Sequence, residues 1–193
     1  MRICSVILNS VLAVDMIVMT ILLFLKDGKW DFETGVRRQK YFTVLSNEFC
    51  AITCVFMIFF PDFHPVRILK FTGVIAIMVT FVTVLVFLGP TLGYRRVMEG
   101  RDFVLHVVNP VLAAISFGVF EREKIAFPHC LFGMVPVILY GIVYTYFVML
   151  APKEKRGEDF YGFNKGNKWY LSMTLMVLGT LILCVGFWAI TLI

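Results

Sequence analysis

Six predominantly apolar runs divide this chain, over residues 3–25, 41–60, 71–89, 103–120, 130–150 and 169–193. Each approaches the length of about twenty residues that a helix needs to cross the hydrocarbon core of a bilayer. Inside lipid a backbone N–H or C=O has no water to bond, so only helices and closed barrels can span it. Runs such as Val74 to Leu88 are continuously apolar instead of alternating with period two, which excludes a barrel. The predicted fold is therefore all-α, a multi-pass six-transmembrane-helix bundle. The longest connection, Ala151 to Lys168, is too short for a separate domain, so residues 1–193 read as one membrane domain. The run after Met1-Arg2 is longer than the apolar core of a signal peptide and reads as a first span.

Only 16% of the residues are charged, and they cluster between the runs, as a chain with lipid for solvent requires. The net charge of +5 thus reads as topology signal and headgroup contact, with bilayer lipids and not nucleic acid as the partner. The connections after the first, third and fifth runs hold five, three and five of the 18 Lys and Arg residues, which predicts that both termini lie outside. Arg37, Arg38 and Lys40, packed beside the second run, are alternatively placed to meet a substrate. The five cysteines sit in or at the edges of apolar runs, so no disulfide framework is expected, and Cys50 and Cys54 read as small apolar filler. His64 and His129 have no acid or thiol at ligand spacing, and no Gly-rich phosphate motif occurs; neither metal nor cofactor is expected.

Polar side chains within the runs carry the functional argument, because an ionisable group at a helix centre costs about 2.5–3.5 kcal/mol to insert. In the second run Thr43, Ser46 and Asn47 share one helical face that must look into the bundle. In the fourth, His106 and Asn109 share a face, followed by Pro110, which together with Pro136 predicts kinked or open backbone. Such faces commonly serve as hydrogen bonds between helices. Here a second possibility arises, because the second and fourth spans run in the same direction. Thr43 and His106, each near the start of its span, then fall at the same depth. An imidazole can take the proton of a neighbouring hydroxyl and make it a nucleophile. Asn47 and Asn109 are candidates to hold an oxyanion or orient the ring, and the intramembrane acids Glu48 and Asp15 to orient the imidazole, pair with a cation or form a protonated contact between helices. Residues Glu158 to Gly166, on the same side, could cap the site as a lid. Tyr140 and Tyr144 could present hydroxyls to the same cavity, although aromatic packing competes with that role.

The strings Arg38-Gln39-Lys40-Tyr41-Phe42-Thr43 with Ser46-Asn47, and Leu105-His106-Val107-Val108-Asn109-Pro110, resemble those of the androgen-induced/androgen-dependent (FAR-17a-type) family of multi-span membrane proteins and its bacterial six-span relatives. The resemblance implies an intramembrane threonine hydrolase of fatty-acid esters, with Thr43 in the position of the nucleophile, His106 as its base, and residence in a bacterial cell membrane. The His-to-Pro spacing differs from that of the animal members. Two other classes compete: a non-enzymatic six-span subunit that binds or transports a small molecule, which predicts a closed polar pocket, and a purely structural role, which leaves Thr43 and His106 apart.

Overall fold

The computed structural model describes residues 2–193 and contains six helices long and apolar enough to cross a membrane: Arg2–Leu23, Phe42–Phe59, His64–Leu92, Arg101–Phe120, Phe127–Leu150 and Trp169–Ile190. The chain is an all-α six-helix bundle. Among the described residues the only strands, Leu25–Lys26 and Lys29–Trp30, form a minimal hairpin. Its turn is Asp27-Gly28, both at positive φ (52° and 76°), the backbone that a two-residue hairpin turn demands.

A short helix, Phe32–Arg38, follows the hairpin. The Asp31 carboxylate caps it, accepting from the Thr34 backbone N–H at 2.9 Å and the Thr34 hydroxyl at 2.7 Å, and these bonds hold the Asp31 carboxyl below its usual range. Trp30, Phe32 and Val36 stay exposed beside it, as suits a segment lying against a membrane surface.

The third span is the centre of the bundle and packs against the second, fourth, fifth and sixth. Phe71, Val74, Ile75, Ala76 and Ile77 are fully buried along it. Gly73 allows the closest approach to the second span: a Cβ there would lie 2.7 Å from Thr53 Oγ1.

This span begins at His64, not at residue 71. Lys70, read from the sequence as a loop cation, is therefore well inside the bundle and completely buried. Its Nζ donates to Asn9 Oδ1 at 2.7 Å and Cys54 Sγ at 3.0 Å, and lies 3.9 Å from Glu121 Oε2. Glu121, also assigned to a loop by hydropathy, closes the fourth span. Its Oε1 accepts from Ser5 Oγ at 2.9 Å, from Ser116 Oγ at 2.7 Å and from the Asn9 amide. A hydropathy window stops at a charge, whereas a buried lysine that meets a buried glutamate lies within a span, here with the glutamate at the end of another. Cys54 is accordingly a hydrogen-bond acceptor in a polar knot of the first four spans, not apolar filler.

Irregular helical turns precede Pro110 and Pro136, where kinked or open backbone was expected, and also Pro90, which lies inside the third span and does not end it. Pro110 has no N–H to bond the carbonyl of His106 four residues earlier, and the helix runs through a π-helical turn at Val104–Val108 just before it. Pro90 follows a similar turn at Val84–Leu88, and Pro136 follows a 3₁₀ turn at Leu131–Met134.

Candidate active site

Thr43 lies in the first turn of the second span, after a non-helical Tyr41 at the N-cap. His106 lies within the π-helical turn before Pro110, which aims its ring at the second span. Thr43 Oγ1 and His106 Nε2 are 3.2 Å apart. The common depth inferred from two parallel spans thus becomes a contact.

The other ring nitrogen sets the chemistry. His106 Nδ1 is 2.6 Å from the Val97 carbonyl oxygen, and a carbonyl oxygen can only accept. Nδ1 therefore carries the proton, and Nε2 presents its lone pair to the Thr43 hydroxyl. This is the tautomer that a general base requires. The orienting group is a backbone carbonyl from the short Tyr94–Val97 helix between the third and fourth spans.

Neither candidate acid has that role. Glu48 accepts from Gln39 Nε2 at 2.7 Å and so anchors the connection before the second span. Asp15 makes no hydrogen bond to the dyad, and its Oδ2 is buried without a partner. Arg38 does not face a substrate either: its Nη1 donates to the Leu23 carbonyl at 2.8 Å, and Arg101 Nη1 bonds that of Leu22 at 2.7 Å. Both arginines satisfy carbonyls at the first span's C-terminal end, which the helix cannot pair internally.

The amide candidates clamp the site. Asn47 donates to the Thr43 carbonyl at 2.8 Å and the Leu105 carbonyl at 3.2 Å, and accepts from Asn109 Nδ2 at 3.0 Å. With both of its N–H groups engaged, Asn47 holds the turn bearing Thr43 against the turn bearing His106 and is not free to bind an oxyanion. Ser46 Oγ donates to the Thr43 carbonyl at 3.1 Å and shares a 2.9 Å hydrogen bond with Thr80 Oγ1 of the third span.

The connection between the fifth and sixth spans covers the site. Asp159 folds it, accepting from the Phe163 N–H at 3.0 Å, the Asn164 N–H at 2.8 Å and the Tyr144 hydroxyl. Tyr161 is thereby lowered onto the second span, where its oxygen accepts the Phe42 N–H at 2.8 Å. Burial pushes its hydroxyl up to about 12, so it remains a proton donor at neutral pH. Thr43, Thr80, Tyr140 and Tyr161 share a cavity of about 20 Å³, room for about one water. Tyr144 lies outside that lining and is committed to Asp159. The sequence marked this loop as a cap without singling out Tyr161, and no residue type could have flagged the Val97 carbonyl. At the opposite end of the bundle, His64 and His129 meet edge-on with ring centres 5.5 Å apart.

Fold and site together define a bundle of six apolar helices long enough to cross a membrane, with a half-buried hydroxyl–imidazole pair near one end. No family model, curated protein or solved structure matches the chain.

Proposed function

We propose that this protein is an intramembrane hydrolase of lipid esters, with Thr43 as nucleophile and His106 as general base. The observation that carries the proposal is the Thr43 Oγ1–His106 Nε2 contact of 3.2 Å, with Nδ1 committed to Val97. The resemblance of the two strings around these residues to the FAR-17a-type hydrolases supports the same chemistry and favours fatty-acid esters in a bacterial cell membrane.

In the reaction Thr43 Oγ attacks the ester carbonyl carbon as its proton passes to His106 Nε2. The carbonyl oxygen gains the negative charge, and the Tyr161 O–H is the donor assigned to it, with the positive end of the second helix adding to the field. Collapse expels the alcohol, which takes the proton from His106 and leaves an acyl-Thr43 ester. A water gives its proton to Nε2 and attacks that ester. The carboxylic acid leaves and Thr43 is reprotonated. The chemistry needs no redox step.

A transport or binding subunit is less well supported, because the two cavities flanking Thr43 have mainly apolar walls. The test is release of free fatty acid from a panel of acyl esters by protein reconstituted in lipid. Wild type is expected to turn over at least one of them, and Thr43→Ala and His106→Ala to lose about 10²–10⁴-fold or more. Equal rates in all three proteins would refute the proposal.

A further inference from the structure

Beside the site, a groove of about 1060 Å³ opens along the outside of the bundle between the second, third and fifth spans. Its rim is the interfacial end, formed by Gln39, Lys40, Gly157 and Glu158. Its far end is formed by Pro65 and Ile68 of the third span and Phe132 of the fifth. Nearly all of the wall between is apolar, and Leu139 and Val143 stand more than half exposed along it. A lateral recess of this kind in a membrane bundle faces acyl chains, not water.

Two side chains, Phe42 and Tyr140, line both this groove and the small cavity at Thr43. Their ring centres are 5.0 Å apart with a tilt of 52°, so the pair forms the partition between them. Phe42 adjoins the nucleophile in sequence. The Tyr140 hydroxyl donates to the Lys40 carbonyl at 2.7 Å, which ties its ring to the turn before the second span.

Length narrows what can occupy the groove. Eight residues of the fifth span separate Tyr140 from Phe132, about 12 Å at 1.5 Å per residue. The eleven residues from Ala76 to Pro65 on the third span cover about 16 Å. Half of a hydrocarbon core of about 30 Å is about 15 Å, the depth to which one lipid chain extends. Below the partition, therefore, the groove has the length of one long acyl chain. Above it, the rim lies where a headgroup or the alcohol part of an ester would reach the interface.

We propose that this groove is the acyl-chain site of the hydrolase, and that Phe42 and Tyr140 are the gate through which the ester carbonyl of a chain lying in it reaches Thr43. The inference rests on the hydrolase reading for its chemistry, and on groove shape and continuity for its ligand. The substrate enters sideways from the bilayer. Its chain descends toward Pro65 and Phe132, and its carbonyl stops at the level of Tyr140. Rotation of the two rings then joins groove and cavity. Chain length is measured by the lower groove, so specificity depends on residues remote from the dyad, such as Val135.

The test uses two readouts on the full-length protein in lipid nanodiscs. The first is cross-linking of the Thr43→Ala variant by a long-chain acyl ester carrying a photoreactive diazirine near the end of its chain, with the adducts mapped by mass spectrometry. Adducts concentrated on Ile68, Leu69, Phe132 and Val135, and competed by unlabelled long-chain ester, are expected. Adducts spread evenly over lipid-facing positions such as Ile7, Leu178 and Ile182 would overturn the proposal. The second readout is covalent labelling of wild type and Val135→Trp by alkyl fluorophosphonates of short and long chain. Val135→Trp is expected to slow the long-chain probe about tenfold and to leave the short one unchanged. Equal effects on both probes in a folded variant would also overturn the groove proposal, while leaving Thr43 as the nucleophile. Absence of labelling in folded wild type, beside groove-confined cross-links, would instead remove the hydrolase chemistry and keep the chain site.

Discussion

A threonine hydroxyl becomes a nucleophile only when its proton has somewhere to go, and in the proposed hydrolase a backbone carbonyl decides the destination. Val97 O fixes the proton on His106 Nδ1 and so frees Nε2 for Thr43. Thr43→Ser is expected to retain measurable esterase activity because it keeps the oxygen at the same position, whereas Thr43→Ala is expected to be inactive in the same assay. If the Tyr161 hydroxyl donates to the developing oxyanion, Tyr161→Phe is expected to lower kcat by about 10²–10³-fold with little change in KM. The same hydroxyl has a pH signature. Its folded value of about 12 lies above the ordinary tyrosine value of about 10. The stability it lends to the closed loop is therefore complete below about 10 and is lost as pH rises through about 12. Ultraviolet titration of wild type against Tyr161→Phe should show the loss of one late-ionising phenol. Thr43 and His106 were legible in the sequence because a histidine within an apolar run is conspicuous and helix direction could be counted. Glu48, Asp15 and Arg38 were chemically plausible, but their partners, Gln39 for Glu48 and the first span's carbonyls for Arg38, depend on how connections fold back.

At the scale of single elements, the site depends on an imperfect helix. The π-helical turn before Pro110 holds one residue more than an α-turn, and each α-helical residue advances the face by about 100°. Pro110→Ala restores the missing N–H and lets the first half of the fourth span, through the turn that bears His106, close into a regular α-helix. That change is expected to turn His106 away from Thr43, lowering esterase activity by at least about tenfold while thermal stability in detergent is unchanged or raised. Undiminished activity in this variant would show that the turn is not required. Apolar run length located all six spans, since twenty or so apolar residues have no alternative fate in lipid. It misplaced the start of the third by seven residues, counting from His64 to residue 71, because Arg67 and Lys70 interrupt the run. The type of local distortion at each proline was not legible, because proline removes a hydrogen bond without dictating how the chain compensates.

Across the whole molecule, polar groups are concentrated at two levels. The dyad and its asparagine clamp join the second and fourth spans near one end, and the Lys70–Glu121 knot joins the first four spans toward the other. The second level was invisible to hydropathy, which treats each charge alone and cannot see that two of them meet. Lys70→Met leaves Glu121 buried and unpaired, and is expected to destabilise the bundle by about 3–5 kcal/mol. The double variant Lys70→Met/Glu121→Gln should recover a large part of that loss, read from unfolding in detergent. Because the knot is remote from Thr43, the double variant is expected to keep esterase activity per folded molecule.

The proposed reaction requires His106 to activate the hydroxyl of Thr43. The most direct measurement is peptide mapping after treatment of the folded protein with a fluorophosphonate, comparing wild type with His106→Ala. A single phosphonyl adduct on Thr43 is expected in wild type and none in His106→Ala. No adduct on wild-type Thr43, or an equal adduct in the absence of His106, would contradict that activation.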